Sequence, residues 1–152
     1  MNILFLCTGN VSRSYLAEML LEHEIDQNHY QGISVSSAGI LDNEGMPADP
    51  VMVDYLMKLK IHEGAHSARK ISKKDVEWAD RIYVMENRHR EYIHEFWPEA
   101  DHKVERLGRY IAPDQVEDDI IDPYGKAPYY YRVAQEQISA AVKNLFKKLV
   151  QE

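Results

Sequence analysis

Short apolar runs alternate with longer stretches of helical periodicity along this chain, and this alternation restricts the fold more than any other feature. Residues 2–6 predict a buried strand, and the helix that follows has an apolar stripe that includes Ala17, Leu21 and Ile25. Strands that alternate with helices of this length favour parallel pairing through right-handed crossovers. We therefore predict an α/β fold, namely a three-layer, doubly wound domain with a central four-stranded parallel sheet and helices on both faces.

The remaining elements are predicted from the same patterns. Further strands are expected at residues 33–39, 81–85 and 103–107. Further helices are expected at residues 50–60, after Ser72 with Asp75 at the third helical position, at 87–96, and from about Tyr129 to the end. Since 152 residues is the length of one ordinary domain, we interpret residues 1–152 as a single domain.

Charge and cysteine content restrict the partners and the compartment. A net charge of −7 argues against broad contact with nucleic acid or with an anionic membrane. Cys7 is the only cysteine, which excludes an internal disulfide, and the N-terminal MNILFLC lacks the basic segment and the longer apolar core of a signal peptide. We therefore expect a cytoplasmic protein with a reduced thiol, no nucleic-acid or membrane partner, and a monomeric or weakly dimeric state.

The stretch CTGNVSRS, residues 7–14, lies between the first predicted strand and the first predicted helix. Ligands of doubly wound folds bind at the carboxyl ends of the strands. Backbone N–H groups of this loop would converge on an anion, with the positive end of the helix dipole behind them, and Arg13 could hold two of its oxygens. Gly9 can adopt backbone angles that other residues resist, and Asn10 tolerates left-handed geometry. The loop therefore predicts a phosphate site.

The same positive field favours a thiolate at Cys7, which could attack phosphorus, and Ser14 could donate a hydrogen bond to the sulfur. The alternative is that Cys7 is a small buried hydrophobic residue that ends a strand. The strand before it, the Gly-Asn pair and the helix after it favour the catalytic interpretation.

The chain resembles a known family, the low-molecular-weight protein tyrosine phosphatases, whose signature is a Cys-x5-Arg-Ser loop near the N-terminus. Five segments carry the resemblance: CTGNVSRS at 7–14, SSAG at 36–39, HSARKI at 66–71, DRIYVM at 80–85 and DPYG at 122–125. The resemblance implies a protein phosphatase that hydrolyses phosphotyrosine through a cysteinyl-phosphate. It also implies phosphoprotein substrates, inorganic phosphate as product and inhibitor, and no metal or cofactor.

The resemblance further assigns roles to individual residues. Cys7 would be the nucleophile, Arg13 the phosphate clamp and Asp122 the general acid and base. The substrate-binding residues that it implies are Thr8, Gly9, Asn10, Val11, Ser12, Ser14 and Tyr124. Ser37 and His66 would be supporting residues in a hydrogen-bond network with Asn10, although without the family His66 would be interpreted as a surface or capping residue.

Asp122 is also the best candidate acid on chemical grounds. A phenolate leaves far better when it is protonated, and Asp-Pro-Tyr-Gly is typical of an ordered turn that could aim a carboxyl group at the loop. An ordinary Asp-Pro turn is the alternative interpretation. Glu117, Asp118 and Asp119 would help to keep this group protonated through like-charge repulsion if they lie close to it.

A protein arginine phosphatase is the closest alternative, because the DPYGKAP region and the overall length also resemble that branch of the family. The position of Val11 is typically threonine in that branch, whereas tyrosine-specific members carry a branched aliphatic residue. Val11 therefore favours phosphotyrosine. Acidic residues 117–119 could accept a guanidinium, or they could form a solvated acidic loop.

Two loop residues depart from the usual family pattern, since Ser12 stands where a second cysteine is common and Tyr15 where proline is usual. Related arsenate reductases share this fold and loop, but they need further cysteines to pass on a disulfide, so a single cysteine excludes that activity. A phosphoprotein-binding module without turnover is disfavoured because Cys7, Arg13 and Asp122 are all present.

Another class of function is suggested by HEGAH, in which His62, Glu63 and His66 satisfy the His-Glu-x-x-His pattern of zinc proteases. Glu86 would be available downstream as a third ligand. The pattern requires a continuous helix, and Gly64 lies inside it. Zinc hydrolysis is therefore only a remote alternative.

Overall fold

The computed structural model describes residues 1–62, 64–114 and 119–152, and its elements occur in the predicted order. The strands are β1 (Asn2–Cys7), β2 (Ser34–Gly39), β3 (Arg81–Val84) and β4 (Val104–Arg106). The α-helices are α1 (Arg13–Gln27), α2 (Pro50–Lys58), α3 (Lys73–Trp78), α4 (Asn87–Phe96) and α5 (Pro128–Val150). Short 3-10 helices at Pro98–Lys103 and Leu107–Tyr110 flank β4.

The strands form one parallel sheet in the order β2-β1-β3-β4. The sheet order places β1 between two neighbours, and Cys7, its last residue, pairs with Gly39 at the end of β2. The predicted four-stranded parallel sheet is confirmed. Because parallel strands end at the same edge, the loops after β1, β2 and β3 lie close together.

Helices cover both faces of the sheet. Ile3 and Phe5 of β1 face a core built with α1, α2 and α5, whereas Leu4 and Leu6 face a second core with α3 and α4. All four side chains are fully buried, as expected of a strand covered on both sides. The predicted three-layer, doubly wound arrangement is therefore confirmed.

The start of α3 was predicted from a local capping pattern. Ser72 N–H donates to the Asp75 carboxylate at 2.8 Å, as the predicted capping pair requires. The first helix is different, because α1 begins at Arg13 without a side-chain hydrogen bond at its N-cap, Ser12. The N–H groups of its first turn remain available to a ligand of the Cys7 loop.

The closing helix also agrees with the sequence, since its predicted apolar positions are buried: Ala134, Ile138, Val142, Leu145 and Leu149. It packs against α1, which carries the Cys7 loop at its N-terminus. Among the described residues, no helix has the length and apolar character needed to cross a membrane.

Candidate active site

The loop between β1 and α1 surrounds the sulfur of Cys7. Asn10 N–H donates to Cys7 Sγ at 3.3 Å, and Ser14 Oγ lies 3.0 Å from the same sulfur. Ser14 Oγ also accepts a hydrogen bond from Asn10 Nδ2 at 2.9 Å, which leaves the hydroxyl hydrogen free to point at the sulfur. As a thiol, Cys7 donates to Ser14 Oγ; as a thiolate, its sulfur can accept from both the Asn10 N–H and the Ser14 hydroxyl.

Asn10 has the left-handed backbone predicted for it, with φ of 56°. The prediction for Gly9 was wrong in its reason, because Gly9 does not have a positive φ. A Cβ atom at Gly9 would lie 2.8 Å from Asn43 Nδ2, the end of a side chain that donates to the Gly9 carbonyl, so a larger residue would displace Asn43. The strained conformation of the loop is therefore carried by Asn10.

Gly39 is a loop-supporting residue that sequence reasoning did not single out. A Cβ atom on it would lie 2.8 Å from Asn10 N, 2.9 Å from Gly9 C and 2.9 Å from Thr8 O. All three atoms are backbone, which cannot move away without deforming the loop. The close approach follows from strand register, because Gly39 pairs with Cys7, the first residue of the loop.

Arg13 is 1% exposed, and its guanidinium is hydrogen-bonded to two other residues. Its Nη2 donates to Glu86 Oε2 at 2.7 Å, and its Nη1 donates to the Ile120 carbonyl at 2.7 Å. Asp122 Oδ2 lies 3.6 Å from Nη2. Burial alone would raise the pKa of Glu86, but the charge and hydrogen bond of Arg13, together with the hydrogen bond of Arg88, outweigh burial and hold that pKa below its ordinary value.

Thr8 is anchored to the start of α4 by a buried histidine. Glu86 N–H donates to His89 Nδ1 at 3.0 Å, so the neutral ring carries its proton on Nε2 and donates to Thr8 Oγ1 at 2.9 Å. Burial, reinforced by the positive charge of Arg13, lowers the pKa of His89 to about 3. The ring is therefore neutral at physiological pH, and its tautomer is fixed.

The supporting network expected around Asn10 is assembled. Its side-chain Nδ2 donates to Ser37 Oγ at 2.9 Å, and His66 Nε2 donates to its backbone carbonyl at 2.7 Å. Ser37 in turn donates to Glu18 at 2.5 Å, and burial raises the pKa of Glu18. Tyr15, at the usual proline position, is fully buried with its ring centroid 4.7 Å from that of His66.

A pocket of about 230 Å³ opens above Cys7. Its walls contain most of the predicted site residues: Cys7, Thr8, Gly9, Val11, Ser12, Arg13, Asp122 and Tyr124. Leu41, Asn43 and Met46, which follow β2, complete the wall and were not predicted. The other predicted residues are not in the pocket wall: Asn10 is within the loop, and Ser14, Ser37 and His66 are its hydrogen-bond partners. The structure therefore brings all the predicted site residues together.

Asp122 and Tyr124 form a turn at the rim of the pocket, in which Asp122 Oδ1 accepts the Tyr124 N–H at 3.2 Å. The acidic cluster expected beside Asp122 is only partly within the described residues, because Glu117 and Asp118 lie outside them. Asp119 accepts hydrogen bonds from Asn87 N–H at 2.8 Å and from Arg106 at 2.9 Å. The charge of Asp119 is therefore balanced by Arg106.

The zinc-hydrolase alternative requires a helix through the HEGAH segment, and the described residues of this segment are not helical. Helix α2 ends at Lys58, Lys60 has φ of 62°, and His62 is not helical. Glu63 lies outside the described residues. His66 donates to the loop, Glu86 pairs with Arg13, and no group of metal-ligating residues is found within 1–62, 64–114 and 119–152.

Sequence comparison gives relatives over nearly the whole chain. The family described as low molecular weight phosphotyrosine protein phosphatase matches residues 2–152. A protein-arginine-phosphatase from Geobacillus stearothermophilus is 34% identical over 150 residues, which cover 99% of this chain and 97% of the relative. The low molecular weight protein-tyrosine-phosphatase Wzb from Escherichia coli K12 is 36% identical over 126 residues, 83% of this chain and 80% of the relative.

Solved structures share the architecture. The YwlE arginine phosphatase from Geobacillus stearothermophilus has a TM-score of 0.88 at 33% identity, covering 99% of this chain and 93% of that chain. A low molecular weight protein tyrosine phosphatase from T. tengcongensis has a TM-score of 0.88 at 29% identity, covering 97% and 99%. Together with the match over residues 2–152, these similarities establish that the chain belongs to the low molecular weight phosphotyrosine protein phosphatase family.

Proposed function

We propose that this protein hydrolyses phosphotyrosine in phosphorylated proteins through a cysteinyl-phosphate. One observation carries the proposal: the Asn10 N–H and the Ser14 hydroxyl both lie within hydrogen-bond distance of the sulfur of Cys7, while Arg13 and Asp122 line the same pocket. A nucleophile, an anion clamp and a carboxylic acid around one cavity are the groups that this reaction needs. We treat the described fold as one catalytic domain.

In the first step, the Cys7 thiolate attacks phosphorus as the bond from phosphorus to the phenolic oxygen breaks. Asp122 gives its proton to that oxygen, so the tyrosine leaves as a neutral phenol. Arg13 and the loop N–H groups bind the three non-bridging oxygens of the phosphoryl group. Glu86 and the Ile120 carbonyl hold the guanidinium in place before substrate arrives.

In the second step, the ionised Asp122 takes a proton from water as the water oxygen attacks phosphorus. The bond between sulfur and phosphorus breaks, inorganic phosphate is released and the Cys7 thiolate is restored. No step uses a metal or a cofactor. Because the same loop fits free phosphate, we expect inorganic phosphate to inhibit as a product.

The walls of the pocket support an aromatic substrate. Val11, Leu41, Met46 and Tyr124 place apolar surface around the opening, and Tyr124 is 55% exposed. A phenyl ring gains from burial against such side chains and can stack on the Tyr124 ring. Phosphotyrosine is therefore the preferred substrate class.

Phosphoarginine is the second candidate, and the arginine phosphatases of Geobacillus stearothermophilus among the similar proteins favour it. The same Cys7 and Arg13 machinery would act on it, and Asp122 could pair with the guanidinium of the substrate. Val11, a branched aliphatic residue at 7% exposure in the pocket wall, argues for the aromatic substrate.

We infer a cytoplasmic location because the reaction needs Cys7 as a reduced thiolate. We also infer a monomer or weak dimer, without nucleic-acid or membrane partners. Sedimentation of the purified protein at several concentrations tests the oligomeric state.

The decisive experiment compares kcat/KM on phosphotyrosine and phosphoarginine peptides of otherwise identical sequence. We expect hydrolysis of the phosphotyrosine peptide to be at least tenfold faster, an energy gap of about 1.4 kcal/mol. Cys7→Ser is the control: it should abolish turnover of both peptides and still bind phosphate or vanadate. Faster hydrolysis of phosphoarginine would reverse the preference, and turnover by Cys7→Ser would remove Cys7 as the nucleophile.

A further inference from the structure

Arg88 places a second guanidinium beside the Cys7 pocket. It lies in the first turn of α4, and its Nη2 donates to Thr8 Oγ1 at 2.6 Å. Thr8 lines the pocket. The side chain of Arg88 is 51% exposed, whereas that of Arg13 is 2% exposed. Arg88 is therefore at the solvent side of the loop, where parts of a substrate beyond the phosphoryl group would lie.

One edge of the Arg88 guanidinium is already held. Its Nε donates to Glu86 Oε1 at 3.2 Å and its Nη2 to Glu86 Oε2 at 3.2 Å. Within the described part of the chain, Nη1 has no hydrogen-bond partner. Since the guanidinium is planar and rigid, fixing one edge fixes the direction in which Nη1 points. Less side-chain entropy is lost when such a group binds a ligand.

With Asp122 protonated, as the first catalytic step requires, the charged side chains described around Thr8 and Glu86 leave a local positive excess on a chain of net charge −7. Glu86 contacts both Arg13 and Arg88, so one carboxylate faces two guanidinium groups. The nearby Asp119 is paired with Arg106, and His89 is neutral. Among the described residues that contact Thr8 or Glu86, Arg88 is the cation that remains once Arg13 binds the phosphoryl group.

The loop after β2, which also contacts Thr8 through Leu41 N–H, carries negative charge. Asp42 and Glu44 are exposed in the loop whose Leu41 and Asn43 line the pocket. General attraction between the protein and an acidic peptide is therefore weak. A preference for an acidic peptide would have to come from a specific local cation.

We propose that Arg88 is a specificity-determining residue that binds the carboxylate of an acidic residue next to the phosphorylated residue of the substrate. This inference rests on the proposed phosphatase function and names a property of its substrates. A carboxylate matches the donors of Nη1 in charge and geometry, and the contact adds a second anchor beside the phosphoryl group.

Three phosphotyrosine peptides test the proposal: one with glutamine on both sides, one with glutamate before and one with glutamate after the phosphotyrosine. We expect the better glutamate peptide to exceed the glutamine peptide in kcat/KM by about three- to tenfold at low salt, and the ratio to fall as salt rises. In Arg88→Gln the ratio should fall to about 1. A ratio between substrates cancels any general effect of the substitution on the Cys7 loop.

Arg109→Gln is the matched control. Arg109 is 54% exposed, pairs with Glu105 and lies outside the pocket wall, so its substitution removes the same charge elsewhere. It should keep the wild-type ratio. A wild-type ratio of 1, a ratio that survives in Arg88→Gln, or an equal loss in Arg109→Gln would overturn the proposal while hydrolysis itself continues. Failure to hydrolyse any peptide or a simple aryl phosphate would overturn the proposed function as well.

Discussion

The carboxylate of Glu86 lies 2.7 Å from the guanidinium of Arg13, on side chains that are 19% and 2% exposed. The pair fixes the orientation of the phosphate clamp before any ligand is present. Glu86 also pairs with Arg88, so it connects the buried clamp with the exposed guanidinium at the rim. Its removal would leave two cations without a shared counter-charge.

Glu86→Gln should therefore weaken both stability and catalysis. The free energy of unfolding should fall by about 2 to 4 kcal/mol, because a buried guanidinium loses its charged partner. We expect kcat/KM to fall about tenfold or more through misplacement of Arg13. Chemical denaturation and steady-state kinetics measure both. Glu91→Gln, an exposed change on the same helix, is the control, and equal behaviour of the two variants would contradict the role of Glu86.

Gly39→Ala should deform the anion-binding loop. The new methyl group would lie within 2.8 to 2.9 Å of three backbone atoms of residues 8–10. We expect a loss of about 1 to 3 kcal/mol of stability and a phosphate affinity reduced by at least tenfold. Gly64→Ala, where a Cβ atom meets nothing within 4 Å, serves as the control. Normal phosphate inhibition of Gly39→Ala would show that the loop does not depend on this contact.

Patterns of neighbouring residues predicted the strands, the helices and the loop that carries Cys7. They could not predict contacts that depend on how distant strands pair. The strand at 2–6, the helix after it and the loop between them are encoded in neighbouring residues, so the site of Cys7 was predictable. Glu86 was considered only as a zinc ligand, because its pairing with Arg13 depends on how β3 lies beside β1. A useful signal existed, since Glu86 follows shortly after a predicted strand end, as Cys7 does.

The backbone conformation of the Cys7 loop also could not be predicted residue by residue from the sequence. Gly9 and Asn10 both tolerate a left-handed backbone, so their propensities do not decide which of them adopts it. The structure assigns φ of 56° to Asn10, whose side chain bonds Ser14 and Ser37. Tertiary hydrogen bonds, rather than intrinsic preference, select that residue.

Two substitutions of His89 should separate its two hydrogen bonds. Asparagine can accept the Glu86 N–H in place of Nδ1, whereas glutamine can donate to Thr8 in place of Nε2. We expect His89→Gln to keep the inhibition constant for phosphate near the wild-type value and His89→Asn to weaken phosphate binding by about three- to tenfold. If glutamine proved as damaging as asparagine, the contact with Thr8 would not matter for the loop.

Glu22 should make stability depend on pH. Burial, with the nearby charges of Glu18 and Asp26, raises the pKa of Glu22 from 4.5 to about 7. Between these values the folded protein holds a proton that the unfolded chain has released, so stability falls as pH rises from about 4.5 to about 7. Glu22→Gln removes this loss. Thermal unfolding at pH 5 and pH 8 should show the variant gaining about 1 to 2 kcal/mol on wild type between the two conditions, and a constant difference would contradict the assignment.

Asp122→Asn tests whether Asp122 is the general acid, because loss of the acid should affect substrates according to the pKa of their leaving group. Asparagine can still accept the Tyr124 N–H at the Oδ1 position, so the turn is kept while the transferable proton is lost. An activated aryl phosphate, whose phenol is already acidic, leaves without help, whereas an unactivated one needs the proton. We expect kcat/KM, which reports the step that expels the phenol, to fall by about 10²- to 10⁴-fold for unactivated aryl phosphates and far less for activated ones, which steepens the dependence of log kcat/KM on leaving-group pKa. Asp42→Asn removes an exposed charge near the same pocket and should leave that slope unchanged. An equal fall in kcat/KM for both substrate types in Asp122→Asn would assign the proton transfer to the leaving group to another residue.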